Sequence, residues 1–112
     1  MPVKNLFQDV PADLPEEYFE LLAQGEGLRI ERIVSKGHKS KPGKWYDQDF
    51  NEWVTLLQGK AKLQFAGEEE IEMLPGDYVL IPSHTKHRVS WTKENEETVW
   101  LAVYFASSGG GT

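Results

Sequence analysis

Two side chains in this sequence combine an acid and an imidazole at positions that strand geometry would turn inward. Side chains alternate across a β-strand, so residues of equal parity share a face. Around position 87, His87, Val89 and Trp91 share one face, and Arg88, Ser90 and Thr92 share the other. The second set is wholly polar, so His87 belongs to the buried side. Around position 52, Glu52, Val54 and Leu56 oppose Trp53, Thr55 and Leu57, and both faces carry apolar residues. An unpaired carboxylate in a core costs several kcal/mol, so an inward Glu52 needs a partner. A divalent metal would serve both groups. Carboxylate oxygen together with neutral imidazole nitrogen suits manganese, iron, nickel, copper or zinc better than calcium. The alternative is structural: Glu52 hydrogen-bonds a nearby Tyr or Trp, and His87 is a satisfied strand histidine.

The elements that would position this pair are short strands. Leu28 to Val34, Glu52 to Leu57, Ala61 to Phe65, Ile71 to Leu74, Tyr78 to Ile81, His87 to Trp91 and Thr98 to Phe105 are apolar or alternating runs. Turn signals separate them, among them Gln58-Gly59, Ala66-Gly67 and Pro75-Gly76-Asp77. That density predicts an all-β sandwich or barrel over residues 28–106. Residues 1–27 read as an extension with one short helix. Asp13-Leu14-Pro15-Glu16 supplies a start signal, Tyr18, Leu21 and Leu22 an apolar stripe, and Gly25 and Gly27 a stop. Two to three turns are marginal alone, so this helix is expected to cover one side of a sheet. Lys36 to Lys44, with two glycines and four lysines, reads as an exposed loop or edge hairpin, and residues 107–112 as a flexible tail.

Composition bounds the function. The 112 residues suffice for one domain with one core. Cysteine is absent, which excludes a disulfide scaffold, a thiolate zinc site and a cysteine nucleophile. A formal charge of -6 and no Lys/Arg stripe disfavour a nucleic-acid partner. No apolar run approaches the ~18 residues of a membrane span. The start Met1-Pro2-Val3-Lys4-Asn5 lacks a signal-peptide core, so a cytoplasmic protein without a membrane partner is expected. No Ser-His-Asp order, phosphate-binding glycine loop or dinucleotide fingerprint appears.

The spacing around the Glu/His pair resembles the cupins over roughly residues 30–105. Their first motif is glycine, five residues, His-x-His, three or four residues, Glu, six residues, glycine; Glu52 and Gly59 keep its second half. The second motif is glycine, five residues, Pro-x-Gly, two residues, His, three residues, Asn; Gly76, Pro82 and His87 match it in register. The departures are specific. Trp45-Tyr46-Asp47-Gln48 stands where His-x-His belongs, Ser40 replaces the first glycine, His84 the second-motif glycine and Trp91 the final Asn. The resemblance implies a single-domain double-stranded β-helix (jelly-roll) barrel. It also implies a divalent metal at the mouth (iron, manganese, nickel or zinc), a small polar ligand, and dimerisation through sheet edges or terminal strands. Glu52 and His87 would hold the metal, with Gln48, Asp47 or Tyr46 completing the shell. His84, three residues before His87, would make a set of two histidines and one carboxylate if its turn folded toward the mouth.

Three further residues are candidates for the substrate pocket. Arg32 shares parity with Leu28 and Ile30, and an inward guanidinium would clamp a carboxylate with two hydrogen bonds. Trp91 shares parity with His87, and Tyr46 belongs to the same aromatic set as Trp45, Trp53 and Trp100, although aromatics also fill ordinary barrel cores. His38, flanked by lysines, is expected in solvent, and Glu68-Glu69-Glu70 reads as a solvated turn. Two functions fit. One is a metal-dependent cupin oxygenase or isomerase acting on a small polar molecule. The other is a non-catalytic binding or sensing cupin without bound metal.

Overall fold

Eight β-strands build the described part of the chain, residues 1–107 of a computed structural model. They are β1 (Tyr18–Gly25), β2 (Leu28–Ser35), β3 (Phe50–Gln58), β4 (Ala61–Phe65), β5 (Glu70–Met73), β6 (Tyr78–Ile81), β7 (His87–Thr92) and β8 (Thr98–Ala106). A five-stranded sheet has the order β1-β2-β8-β3-β6, and a three-stranded sheet the order β5-β4-β7. Every pairing is antiparallel. The expected strands are therefore present, and Lys36 to Lys44 contains none. Residues 108–112 of the expected tail lie outside the described residues.

The core forms where the two sheets face each other. Leu56, Ala61, Leu63, Met73, Ile81, Trp100 and Ala102 are all buried there. Strand alternation accounts for it: Ile33, Trp100 and Leu56 lie side by side across β2, β8 and β3, and all three point inward. No described helix is long and apolar enough to cross a membrane.

The expected N-terminal helix is absent. Tyr18 to Gly25 instead runs antiparallel to β2, from Tyr18↔Val34 to Gly25↔Leu28. The two glycines read as a helix stop belong to a hairpin turn, where Gly27 takes φ +68° and a Cβ would lie 3.3 Å from that of Ala106. A two-turn helix would have had little to hold it, whereas pairing with β2 gives the segment ladder hydrogen bonds along one side. Thus part of residues 1–27 is the outer strand of the same sheet as β2.

One irregularity reorients β7. Leu63 pairs with Val89, but Lys62 pairs with Trp91, leaving Ser90 as an extra residue. A bulge of this kind reverses the alternation beyond it. His87 and Val89 stay on the inner side, while Trp91 moves outward and Thr92 becomes buried.

Candidate binding site between the sheets

A cavity of about 60 Å³ opens at one end of the sandwich. β3 brings Glu52 to it, and Glu52 lies opposite Tyr104 of β8 and Ile81 of β6. β7 brings His87 at its first residue. Tyr46 meets His87 in an isolated bridge, its N–H donating to the His87 carbonyl at 2.7 Å and its carbonyl accepting at 3.1 Å. That bridge carries Tyr46 and Gln48 into the lining although no strand spans them. Val54, Leu63 and Val89 supply apolar wall.

The polar end is a three-residue cluster. Glu52 Oε1 accepts from Gln48 Nε2 at 3.1 Å and stands 3.7 Å from His87 Nε2. His87 Nδ1 is 2.8 Å from the Thr85 carbonyl, which can only accept, so Nδ1 carries a proton. In the neutral ring Nε2 would then turn a lone pair toward a carboxylate. Burial alone would lower the His87 pKa, but the Glu52 carboxylate 3.7 Å away and the bond to Thr85 together leave it raised. The Tyr46 ring stacks on the imidazole with centroids 5.5 Å apart. Its phenol pKa is raised by burial and by the charges of Glu17 and Glu52.

Glu17 completes the lining from the residue before β1, and sequence reasoning missed it because that stretch read as helix. Its Oε2 accepts from Ser35 Oγ at 2.6 Å. Burial raises its pKa above the ordinary carboxylate range, and Glu52 adds to this against the opposing effects of Ser35 and His38. Its only advance signal was parity on a strand not recognised as one. His38 is half-buried rather than free in solvent, accepting from Lys36 N and contacting the Leu14 carbonyl. Trp100 also lines the cavity, and its Nε1–H is buried without a hydrogen-bond partner.

Three other sequence candidates lie elsewhere. Arg32 is buried on the opposite face of the large sheet, where it donates to the carbonyls of Leu6, Gln8 and Asp9 and pairs with Glu20. Its neighbour Ile33 is the residue of β2 that reaches the cavity. Trp91, turned outward by the bulge, lies near Lys62, whose Nζ is 5.7 Å from its ring centroid. His84 takes φ +60° in an exposed turn, with Nδ1 2.9 Å from Asp47 and Nε2 3.2 Å from Asp49. Both ring nitrogens are engaged away from Glu52.

A model of the cupin domain matches residues 31–104. The chain is a cupin. A putative mannose-6-phosphate isomerase of Ralstonia eutropha JMP134 is 44% identical over 96% of this chain and 100% of its own, with a TM-score of 0.91. An RmlC-like cupin family protein of Methanocaldococcus jannaschii, with a double-stranded β-helix fold, has a TM-score of 0.69 and 16% identity, covering 88% of this chain and 87% of its own. The iron(II) form of HppE has a TM-score of 0.70 and 16% identity, covering 86% of this chain and 53% of its own. These last two likenesses concern the fold. No curated protein matches.

Cupins commonly bind divalent metals, and the donor set here can be tested for one. Glu52 and His87 converge, but among the described residues no group of three His, Asp or Glu does. Turning over the Gln48 amide would add one neutral oxygen. The set is then still short of the second imidazole that a site of two histidines and one carboxylate requires, because His84 faces away. The residues present do not fit a tightly held metal.

Proposed function

We propose that this cupin binds a compact small molecule in the cavity between its sheets, with Glu52, Gln48 and His87 as the polar recognition end and no resident metal required. The observation that carries this reading is the convergence of those three side chains on one small cavity. Glu52 accepts from Gln48 and His87 is bonded to the Thr85 carbonyl, so each has a partner other than an ion. At roughly 10–15 Å³ per water-sized probe, a 60 Å³ space holds on the order of five such atoms without wall movement.

The name of the Ralstonia relative speaks of a hexose phosphate. A phosphate in this cavity would need cationic side chains or a cradle of backbone amides. The lining contains two carboxylates and neither Lys nor Arg. Lys41 and Lys44 line a separate surface depression that shares only Tyr46 with the cavity. That substrate is therefore not carried over. Proton transfer at a bound ligand is a second reading, favoured by His87 Nε2 facing Glu52 with its tautomer fixed by Thr85.

The test uses full-length protein purified without an affinity tag. Elemental analysis, before and after incubation with iron(II), manganese, nickel or zinc, is expected to find well under one metal per chain. Near-stoichiometric metal lost in both His87→Ala and Glu52→Ala would replace this reading with the metal-dependent one. Binding is read on the Trp100 indole N–H by NMR during titration with neutral, cationic and anionic fragments of five to six heavy atoms. The reading requires that at least one class shift that signal, and it is abandoned if none does.

A further inference from the structure

We infer that the ligand of this cavity is a small organic cation, an ammonium compound with a hydroxyl or carbonyl oxygen beside the charge. This rests on the small-molecule reading above and deepens it by naming the ligand class.

Three independent features of the lining converge on that chemistry. The first is charge. Glu17 and Glu52 reach the same space from two different elements, and the one lining side chain able to carry a positive charge is His87. His87 stands at Glu52, while the direct hydrogen-bond partner of Glu17 is the neutral Ser35 hydroxyl. The His38 ring is spoken for by Lys36 N and the Leu14 carbonyl and does not line the cavity. One carboxylate thus lacks a cationic partner within the cavity, in a setting where unlike charges attract more strongly than in water.

The second feature is the aromatic content. Phe19, Tyr46, Trp100 and Tyr104 all contribute to the wall. Aromatic rings beside carboxylates form a setting that attracts ammonium groups and gives nothing to an anion.

The third is an orphaned donor. The Trp100 Nε1–H is buried without an acceptor, and a buried donor left unpaired costs about 1–3 kcal/mol. Because Trp100 lines this cavity, an oxygen on the ligand would offer that donor an acceptor. An anion would satisfy Trp100 but meet two carboxylates. A neutral alcohol would satisfy Trp100 but leave the charge on Glu17 uncompensated. A hydroxylated or carbonyl-bearing ammonium answers all three features, and its size matches the space.

Three compounds of one skeleton separate these cases: 1-amino-2-propanol, 1,2-propanediol and lactate. Each is titrated into EDTA-treated full-length protein at neutral pH, with mannose 6-phosphate as a fourth arm. The Trp100 indole resonance, assigned by its loss in Trp100→Phe, reports binding. Millimolar affinity is expected for a fragment of this size. The amine should half-saturate at a concentration at least about tenfold below the diol, and lactate should not bind. Glu17→Gln should remove most of the amine's advantage while leaving the other indole signals in place. If the diol, lactate or mannose 6-phosphate binds as tightly as the amine, the charge inference is overturned and the small-molecule reading stands. If none of the four shifts the signal, both are overturned.

Discussion

The state of His87 decides how the site behaves with pH. A ring whose Nδ1–H is committed to Thr85 can meet Glu52 favourably only by protonating Nε2. Its folded pKa is raised above the ordinary 6.5. A raised pKa means that the folded state holds the proton more tightly than the unfolded chain. The stabilisation is therefore complete below 6.5 and is lost as pH rises through the folded value. Glu17 acts in the same direction, since its folded pKa is also raised and ionising it weakens the fold. An NMR titration of the His87 Cε1–H should give a midpoint above 6.5 in the wild type. Glu52→Gln removes the charge facing the imidazole, leaving burial to dominate, so the midpoint should fall below the wild-type one. An unchanged midpoint would mean that Glu52 does not govern the imidazole.

At the scale of elements, seven strands were legible because each shows apolar or alternating residues between turn residues. Gly59 was legible too. It takes φ +91°, and a Cβ there would lie 2.5 Å from Thr98 Oγ1, so the motif glycine reflects a close backbone approach. His87 was legible through parity and motif spacing, and Glu52 through motif spacing alone, since both faces of its strand carry apolar residues. The short helix expected within residues 1–27 was wrong because its local signals are outweighed by a hairpin partner, and pairing energy is invisible in a single segment. Trp91 was misplaced because parity assumes unbroken alternation, and nothing in His87-Arg88-Val89-Ser90-Trp91 announces a bulge at Ser90. Arg32 was misread because parity gives a shared face without saying which face is inside. Its actual work is to tie residues 6–9 and Glu20 to the back of the large sheet. Arg32→Met should therefore cost about 2–4 kcal/mol in urea unfolding and speed proteolysis before residue 18. The His87 titration should not move, because Ile33 rather than Arg32 faces the cavity. Altered His87 behaviour would mean that the N-terminal segment supports the site after all.

For the whole molecule, the outer face of the five-stranded sheet exposes large apolar side chains at its β3–β6 end. Trp53 and Tyr78 stack with centroids 5.4 Å apart, and Leu80 lies opposite Trp53 across the β3–β6 pairing. Tyr78 is 66% exposed and Leu80 54%, so this end of the sheet carries large side chains in water. The Arg32-anchored segment covers the β1–β2 end of the same face and leaves β3 and β6 open. Leu80 and Tyr78 also sit on an edge strand, since β6 pairs only with β3 among the described strands. An open edge with an apolar face invites association. We therefore propose that the dimer implied by the cupin resemblance joins through this β3–β6 surface. Sedimentation at micromolar concentrations should show a homodimer. Leu80→Lys should yield a monomer whose Trp100 indole titration with 1-amino-2-propanol is unchanged. A wild-type monomer would remove the dimer, and a Leu80→Lys variant that loses ligand response would mean that assembly shapes the cavity, contrary to the separation of inner and outer faces that strand alternation imposes.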